Sequence, residues 1–275
     1  GLMNVAELVN GGKTDINITL DKNIDLTGKD WTPIGTSFDN SYTGTFDGGG
    51  HTITGLTVTT NDQFVGLFGY LDKAGTVKNV VMEGIQITSN HVLMSGNTGG
   101  VVGYSWGTIE NCSVSGSVSG TNCVGGVVGG QKAGSIIGCS SSATVKGTRY
   151  VGGVAGEKQG TMIACYATGD VTLEIDSQRD LSGGGLVGFN GGNGVLACYA
   201  TGNVTSTGSS TGNVHIGGFL GDNYTTVTAC YWKNNHEQGI GYNKKSTGAT
   251  KVDGTDVTWQ KAVDAMNTAL QNAGS

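Results

Sequence analysis

Proline is almost absent from this chain of 275 residues, with Pro33 the single example. Charge is scarce as well: Asp, Glu, Lys and Arg make up 13%, against about 25% in an average domain. A collagen-like triple helix is excluded, because proline is missing and glycine does not fall at every third residue. A disordered tail is excluded too, since 36% of the residues are hydrophobic and few are charged. Acidic residues outnumber basic ones by 21 to 15, for a net charge of −6 and a pI near 5.1. This removes the electrostatic drive toward nucleic acid and disfavours anionic membrane surfaces. No apolar run reaches the ~18 residues of a membrane span, so no membrane insertion of this chain is expected. Gly1-Leu-Met-Asn4 lacks the basic and apolar regions of a signal peptide. There is no Cys-x-x-Cys, and His51, His91, His215 and His236 do not stand at zinc-site spacing from any cysteine. Neither a metal nor a cofactor is expected.

Glycine is abundant, at 51 residues, and much of it falls in a repeated block. Copies are Gly99-Gly-Val-Val-Gly103, Gly125-Gly-Val-Val-Gly129, Gly152-Gly-Val-Ala-Gly156, Gly184-Gly-Leu-Val-Gly188 and Gly217-Gly-Phe-Leu-Gly221, with an earlier copy at Val65-Gly-Leu-Phe-Gly69. Their starts are 34, 26, 27, 32 and 33 residues apart. From the second copy on, a cysteine follows each block start by 13 or 14 residues: Cys112, Cys139, Cys165, Cys198 and Cys230. The segments between are short, β-rich and bounded by Gly, Asn, Ser and Thr turns, without helical periodicity. A unit of about 26 residues matches one three-sided turn of a solenoid, which buries its apolar side only by stacking on its neighbours. The expected fold is all-β: a right-handed parallel β-helix with one coil per repeat of 26–34 residues. The extra residues of the long repeats follow Val171 and Val204, so one point of the coil is extended twice. The first of these extensions holds Glu174, Asp176, Arg179 and Asp180.

The division expected along the chain is an N-terminal helical cap at 1–12, lead-in strands at 13–64, six repeats at 65–232 and a C-terminal cap at 233–275. Leu2, Val5, Leu8 and Val9 stand at helical spacing, and Gly11-Gly12 stops that helix. Trp259, Ala262, Val263, Met266, Ala269 and Leu270 mark a second helix over about 258–272. Both helices are expected to cover open ends of the core.

Strand alternation sorts the candidate site residues. Cys112, Cys139, Cys165, Cys198 and Cys230 are expected to stack inward as a ladder of free, buried thiols, since in-register neighbours seldom reach disulfide geometry. Cys123 falls outside the ladder in an expected turn, which makes it the most reactive thiol. Tyr166, Tyr199 and Tyr231 follow the ladder cysteines and are expected on the outer face of three successive coils, with Trp232 beside them. Such a row can stack sugar rings or a protein partner; against that stands a row whose rings stack on each other or are covered by the extensions after Val171 and Val204. A second, irregular set follows the glycine blocks: Tyr70, Tyr104, Trp106, Phe189 and Tyr224. Glu174, Asp176 and Asp180 are the candidate polar ligands, against a reading as a solvated loop. No catalytic residue is assigned. Gly103-Tyr-Ser-Trp-Gly107 and Gly208-Ser-Ser-Thr-Gly212 match a nucleophile-elbow pattern without the strand and helix it requires. Glu110 and Glu157 do not share a repeat offset.

The blocks resemble the GLUG-motif family, named for its Gly-Leu-x-Gly core. The literal copies are Gly66-Leu-Phe-Gly69 and Gly185-Leu-Val-Gly188, and the others depart conservatively. Cys165-Tyr-Ala-Thr-Gly169 and Cys198-Tyr-Ala-Thr-Gly202 fit the same pattern, as do the lead-ins Trp31-Thr-Pro-Ile-Gly35 and Phe46-Asp-Gly-Gly-Gly-His-Thr-Ile-Thr-Gly-Leu56. The resemblance spans about residues 24–232. It implies a secreted or cell-surface bacterial protein of the kind called adhesins, often from gut Bacteroidetes, with no established catalytic residues. The expected function is therefore non-enzymatic adhesion to glycans or host glycoproteins, by a monomer at the cell surface, with any signal or lipid anchor upstream of this chain. The competing readings are a polysaccharide lyase or glycoside hydrolase on a β-helix, and a passive spacer.

Overall fold

The structure, a computed structural model, describes residues 1–175, 179–245 and 247–275. Between helix α1 (Leu2–Asn10) and helix α2 (Trp259–Ala273) the chain winds as a parallel β-solenoid. One coil shows the plan: strands Asn97–Gly99, Val102–Ser105, Thr108–Glu110 and Ser113–Ser119 follow one another, and each joins a different sheet. Sheets I to IV, in that order, contain six, seven, eight and thirteen strands among the described residues. The coil is thus four-sheeted rather than three-sided. The extra corner lies at the glycine block, between Gly99 and Val102, where sheet I turns into sheet II.

The repeat spacing is the register. Val102 pairs with Phe68 and Val128, Ala155 with Val128 and Val187, and Leu220 with Val187. Those steps reproduce the spacings of the glycine blocks. The inward residues therefore stack as like on like. Leu67, Val101, Val127, Val154, Leu186 and Phe219 are fully buried, and so are Val77, Ile109, Ile136 and Met162. Each such side chain contributes about 1.5–3 kcal/mol by leaving water.

The blocks need glycine for space. A Cβ on Gly125 would strike the Val128 carbonyl oxygen, and one on Gly153 would lie 2.5 Å from the Ala167 Cβ across the core. The column facing these glycines is small where the core is pinched: Val114, Ser141, Ala167 and Ala200 lie in register. The turn from sheet III to sheet IV asks for something else. Asn111, Gly138, Ala164, Ala197 and Ala229, each just before a ladder cysteine, adopt φ values of 48° to 63°. This left-handed turn is comfortable for Asn and Gly and costs an alanine about 1 kcal/mol.

Helix α1 closes the N-terminal end of the core. Leu2, Ala6 and Val9 are its buried stripe, and Leu8, expected on that stripe, is exposed. The Asn10 side chain donates to Pro33 O at 3.0 Å and accepts from Gly35 N at 2.8 Å, tying the helix to the first coil. Helix α2 starts at Thr258, whose Oγ1 accepts from Lys261 N. It does not lie over the open end as expected. Its buried Ala262 and Met266 pack on Leu196, Ala197, Tyr199, Ala229 and Tyr231, along the flank of two coils.

Candidate functional site

Trp232 is not an outer-face residue. Tyr231 points out, so alternation turns Trp232 inward, in register with Ala200. It is buried, with its Nε1 donating to His236 O at 3.2 Å. The indole lies where the preceding coils carry alanine, against Gly218 and Gly239, in the last coil that gives a strand to all four sheets.

In the tyrosine row Tyr166 is exposed, and Tyr199 and Tyr231 are half-buried. Tyr166 stacks on Tyr199 at 4.8 Å and 3° between planes. Tyr199 in turn meets Trp259 of α2 edge-on at 5.4 Å. Tyr199 and Tyr231 belong to the apolar cluster under α2. This row seats a helix. The covering element is α2 rather than the loop extensions.

The two described acidic candidates, Glu174 and Asp180, are each held by a different partner. Glu174 pairs with Lys146 at 2.7 Å on the surface, and Asp180 accepts the backbone N–H of Asn213 at 3.1 Å. Asp176 lies outside the described residues. The extensions form a paired ribbon, with Val171–Ile175 in register against Val204–Gly208 and Leu173 fully buried. They are therefore part of the coil.

The five ladder cysteines are buried and stack, with Cys165 N donating to Cys198 Sγ at 3.3 Å and Cys198 N to Cys230 Sγ at 3.4 Å. All six cysteines are free, and burial pushes the Cys165 and Cys198 thiols up. Cys123 is not a turn residue. It begins a strand of sheet I, is buried, and has its thiol pushed well up by that burial, so it is an unreactive thiol in the folded chain.

What the structure assembles instead is a re-entrant groove at the corner of sheets I and II. The outward column of sheet II is Tyr70, Tyr104, Gly130, Glu157, Phe189, Asp222 and Tyr242. That of sheet I is Phe64, Asn97, Cys123, Tyr150, Ser182 and His215. The two columns meet across the corner. Phe64 lies 5.2 Å from Tyr70 and 5.6 Å from Tyr104, and Tyr70 lies 5.3 Å from Tyr104. Further along, Tyr150 and Phe189 lie 5.1 Å apart, Phe189 and Tyr224 5.3 Å, and Tyr224 and Tyr242 5.8 Å. Trp106 and Phe38 extend the first aromatic set around a cleft of about 330 Å³.

Two polar islands interrupt the rings. In the first, Arg149 lies over the Tyr150 ring at 4.4 Å, and Cys123 Sγ is 3.8 Å from Glu157 Oε2. In the second, His215 Nδ1 sits 2.5 Å from Asp222 Oδ1, the Ser182 hydroxyl donates to Asp222 Oδ2, and His215 stacks on Tyr242 at 5.1 Å. Burial pushes the Asp222 carboxyl up, against the opposing bonds from Ser182 and His215. Burial likewise raises the Tyr104 phenol to about 12. Ser182 is fully buried and spends its proton on the aspartate, so this cluster is not a Ser-His-Asp nucleophile.

Behind the groove the inward neighbours form a polar ladder of Ser105, Gln131, Lys158, Asn190 and Asn223. Lys158 is fully buried, donates to Asn190 Oδ1 at 2.7 Å and to Asn193 O, and is pushed down to about 7 by desolvation.

These features define a parallel β-solenoid repeat protein with an aromatic outer groove. Two adjacent repeats, residues 94–119 and 120–146, one coil each, match the family model of the GLUG motif. Among curated proteins, Halomucin of Haloquadratum walsbyi is 39% identical over 121 residues, which is 40% of this chain and 1% of the relative. A protein of Evansella cellulosilytica, provisionally named a Gly-rich membrane protein, is 32% identical over 102 residues, or 36% of this chain and 11% of the relative. The matched segments are thus small parts of both relatives. A Bacteroides ovatus crystal structure, described as a candidate immunoglobulin A1 protease, superposes with a TM-score of 0.67 at 22% identity, covering 86% of this chain and 78% of that one. That likeness shows the fold alone. Among the described residues no helix is long and apolar enough to cross a membrane.

Proposed function

We propose that this chain is a non-enzymatic binding rod at the outside of a cell, and that it holds glycans or host glycoproteins in the groove of sheets I and II. The observation that carries this reading is the aromatic floor, which runs from Phe64 to Tyr242 and is broken only by polar islands. Rings with apolar faces and polar rims suit sugars, and a row of weak contacts along a rigid rod adds through avidity. The names of the two relatives, a halomucin and a membrane protein, support the surface placing. The test is retention on an array of glycans, mucins and polysaccharides. Wild type is expected to be retained and the Tyr104→Ala/Phe189→Ala variant to be lost. Retention of neither would overturn the reading.

One observation favours hydrolysis as a second reading. Glu157 and Asp222 occupy one outward column two coils apart, which at ~4.8 Å per coil is close to the carboxyl separation of inverting glycosidases. Release of reducing ends from a retained polysaccharide, abolished by Asp222→Asn, would establish it.

A further inference from the structure

The first polar island sits at a break in the aromatic column. Between Tyr104 and Glu157 the outward position belongs to Gly130, where a Cβ would strike Asn97 Oδ1 and come within 3.0 Å of the Tyr104 ring. Asn97 and the Tyr104 ring close over this glycine, and beside them lies a cleft of about 380 Å³. One wall is aromatic, made by Phe64, Tyr70 and Tyr104. The opposite wall carries Arg149 and Glu157, and Met94 leans over the rim from a loop that Asn122 Nδ2 holds through Met94 O at 2.7 Å.

The charges of that wall are not spent on each other. No ion pair joins Arg149 to Glu157 or to any other acid among the described residues. Arg149 gives Nη2 to the Tyr150 hydroxyl at 3.1 Å and Nη1 to Asn122 Oδ1 at 3.4 Å, and its Nε is buried with no partner. Glu157 Oε1 accepts from Gln159 Nε2 at 3.0 Å, which leaves its other oxygen facing only a thiol. A guanidinium offers donors alone and a carboxylate acceptors alone. Side by side, beside a stack of rings, they match a ligand that has an apolar face and a rim of hydroxyls able both to give and to accept. The wall is neutral in sum, so a ligand carboxylate would gain from Arg149 and lose to Glu157.

We infer that the cleft between Tyr104 and Glu157 is the specificity subsite of the groove, and that it takes a neutral pyranose, a hexose or N-acetylhexosamine, within a glycan chain. The ring face lies on the aromatic wall, Arg149 donates to ring hydroxyl oxygens and Glu157 accepts from ring hydroxyls. The inference rests on the groove being a glycan site.

The experiment measures binding of full-length chain to neutral galactose-, glucose- and N-acetylhexosamine-terminated oligosaccharides and to their sialylated or uronate counterparts. Wild type should prefer the neutral set. Glu157→Gln and Arg149→Gln should each weaken it by at least about tenfold, the effect of a lost charged hydrogen bond, while melting temperatures stay near wild type. Neutral binding that survives both substitutions but falls with Phe189→Ala would overturn the subsite and leave the groove reading standing. A preference for acidic sugars would overturn the neutral class. Binding to no glycan would overturn both.

Discussion

Two aromatic rows run along this solenoid, and they serve opposite ends. The row on sheet IV, Tyr166, Tyr199 and Tyr231, is regular, convex and largely covered by α2. The row at the corner of sheets I and II is irregular and concave, with Tyr70 buried at its base and Phe38, Trp106, Tyr224 and Tyr242 exposed. Regularity suits structure, because identical rings stack into a flat seat for a helix. A recognition groove gains from irregularity. A glycine, a carboxylate and a histidine among the rings give it positions that differ from coil to coil.

The largest test removes what both rows share. Val127 is fully buried in the column behind the corner, so Val127→Asp places an unpaired charge in a narrow core. The expected cost exceeds about 4 kcal/mol, seen as loss of the cooperative melt, with both rows disordered together. A second test reads the buried polar ladder. An unfolded lysine keeps its proton to about 10.5 and folded Lys158 only to about 7. Between those values the unfolded chain binds more protons, so this residue makes stability rise with pH through that window and leaves it flat below. Denaturant midpoints of wild type minus Lys158→Met, taken from pH 7 to 10, should show that rising slope.

A third test separates the rows. Met266 is a buried anchor of α2, and Met266→Ala should cost about 2–3 kcal/mol. It should expose Tyr199 and Tyr231 to radical oxidation while glycan retention in the groove is unchanged. The smallest effect comes from the turn of sheet III into sheet IV. Ala164→Asn relieves a left-handed alanine and should raise stability by about 1 kcal/mol, measured as a small increase in melting temperature.

Much of the solenoid could be read before the structure. The spacing of the glycine blocks is the strand register, and the constant offset of Cys112 to Cys230 marks one inward column. The four-sheet coil could not be read, because a two-residue Gly-Gly turn looks the same whether it bends a sheet or joins two. Trp232 could have been placed correctly: the alternation that turns Cys165 and Ala167 inward turns Trp232 inward as well. The position of α2 depends on tertiary packing against Ala197 and Tyr231, which its own amphipathic stripe does not specify.

The groove was the hardest to see, and a trace of it was present. Tyr70, Tyr104, Gly130, Glu157, Phe189 and Asp222 all fall five residues after their block starts. Composition hid them, since six positions carry five residue types. The acid that shares the offset of Glu157 is Asp222, not Glu110. The other half of the groove lies before the blocks, and only the re-entrant corner brings Tyr150 to Phe189 and His215 to Asp222.

Under the proposed function the concave row binds glycan, while the convex row seats α2. Radical footprinting of the chain with a retained glycan tests it most directly. The account predicts protection of Tyr104, Phe189 and Tyr242 and none at Tyr166. Protection of Tyr166, with the three groove residues oxidised as in the free chain, would contradict it.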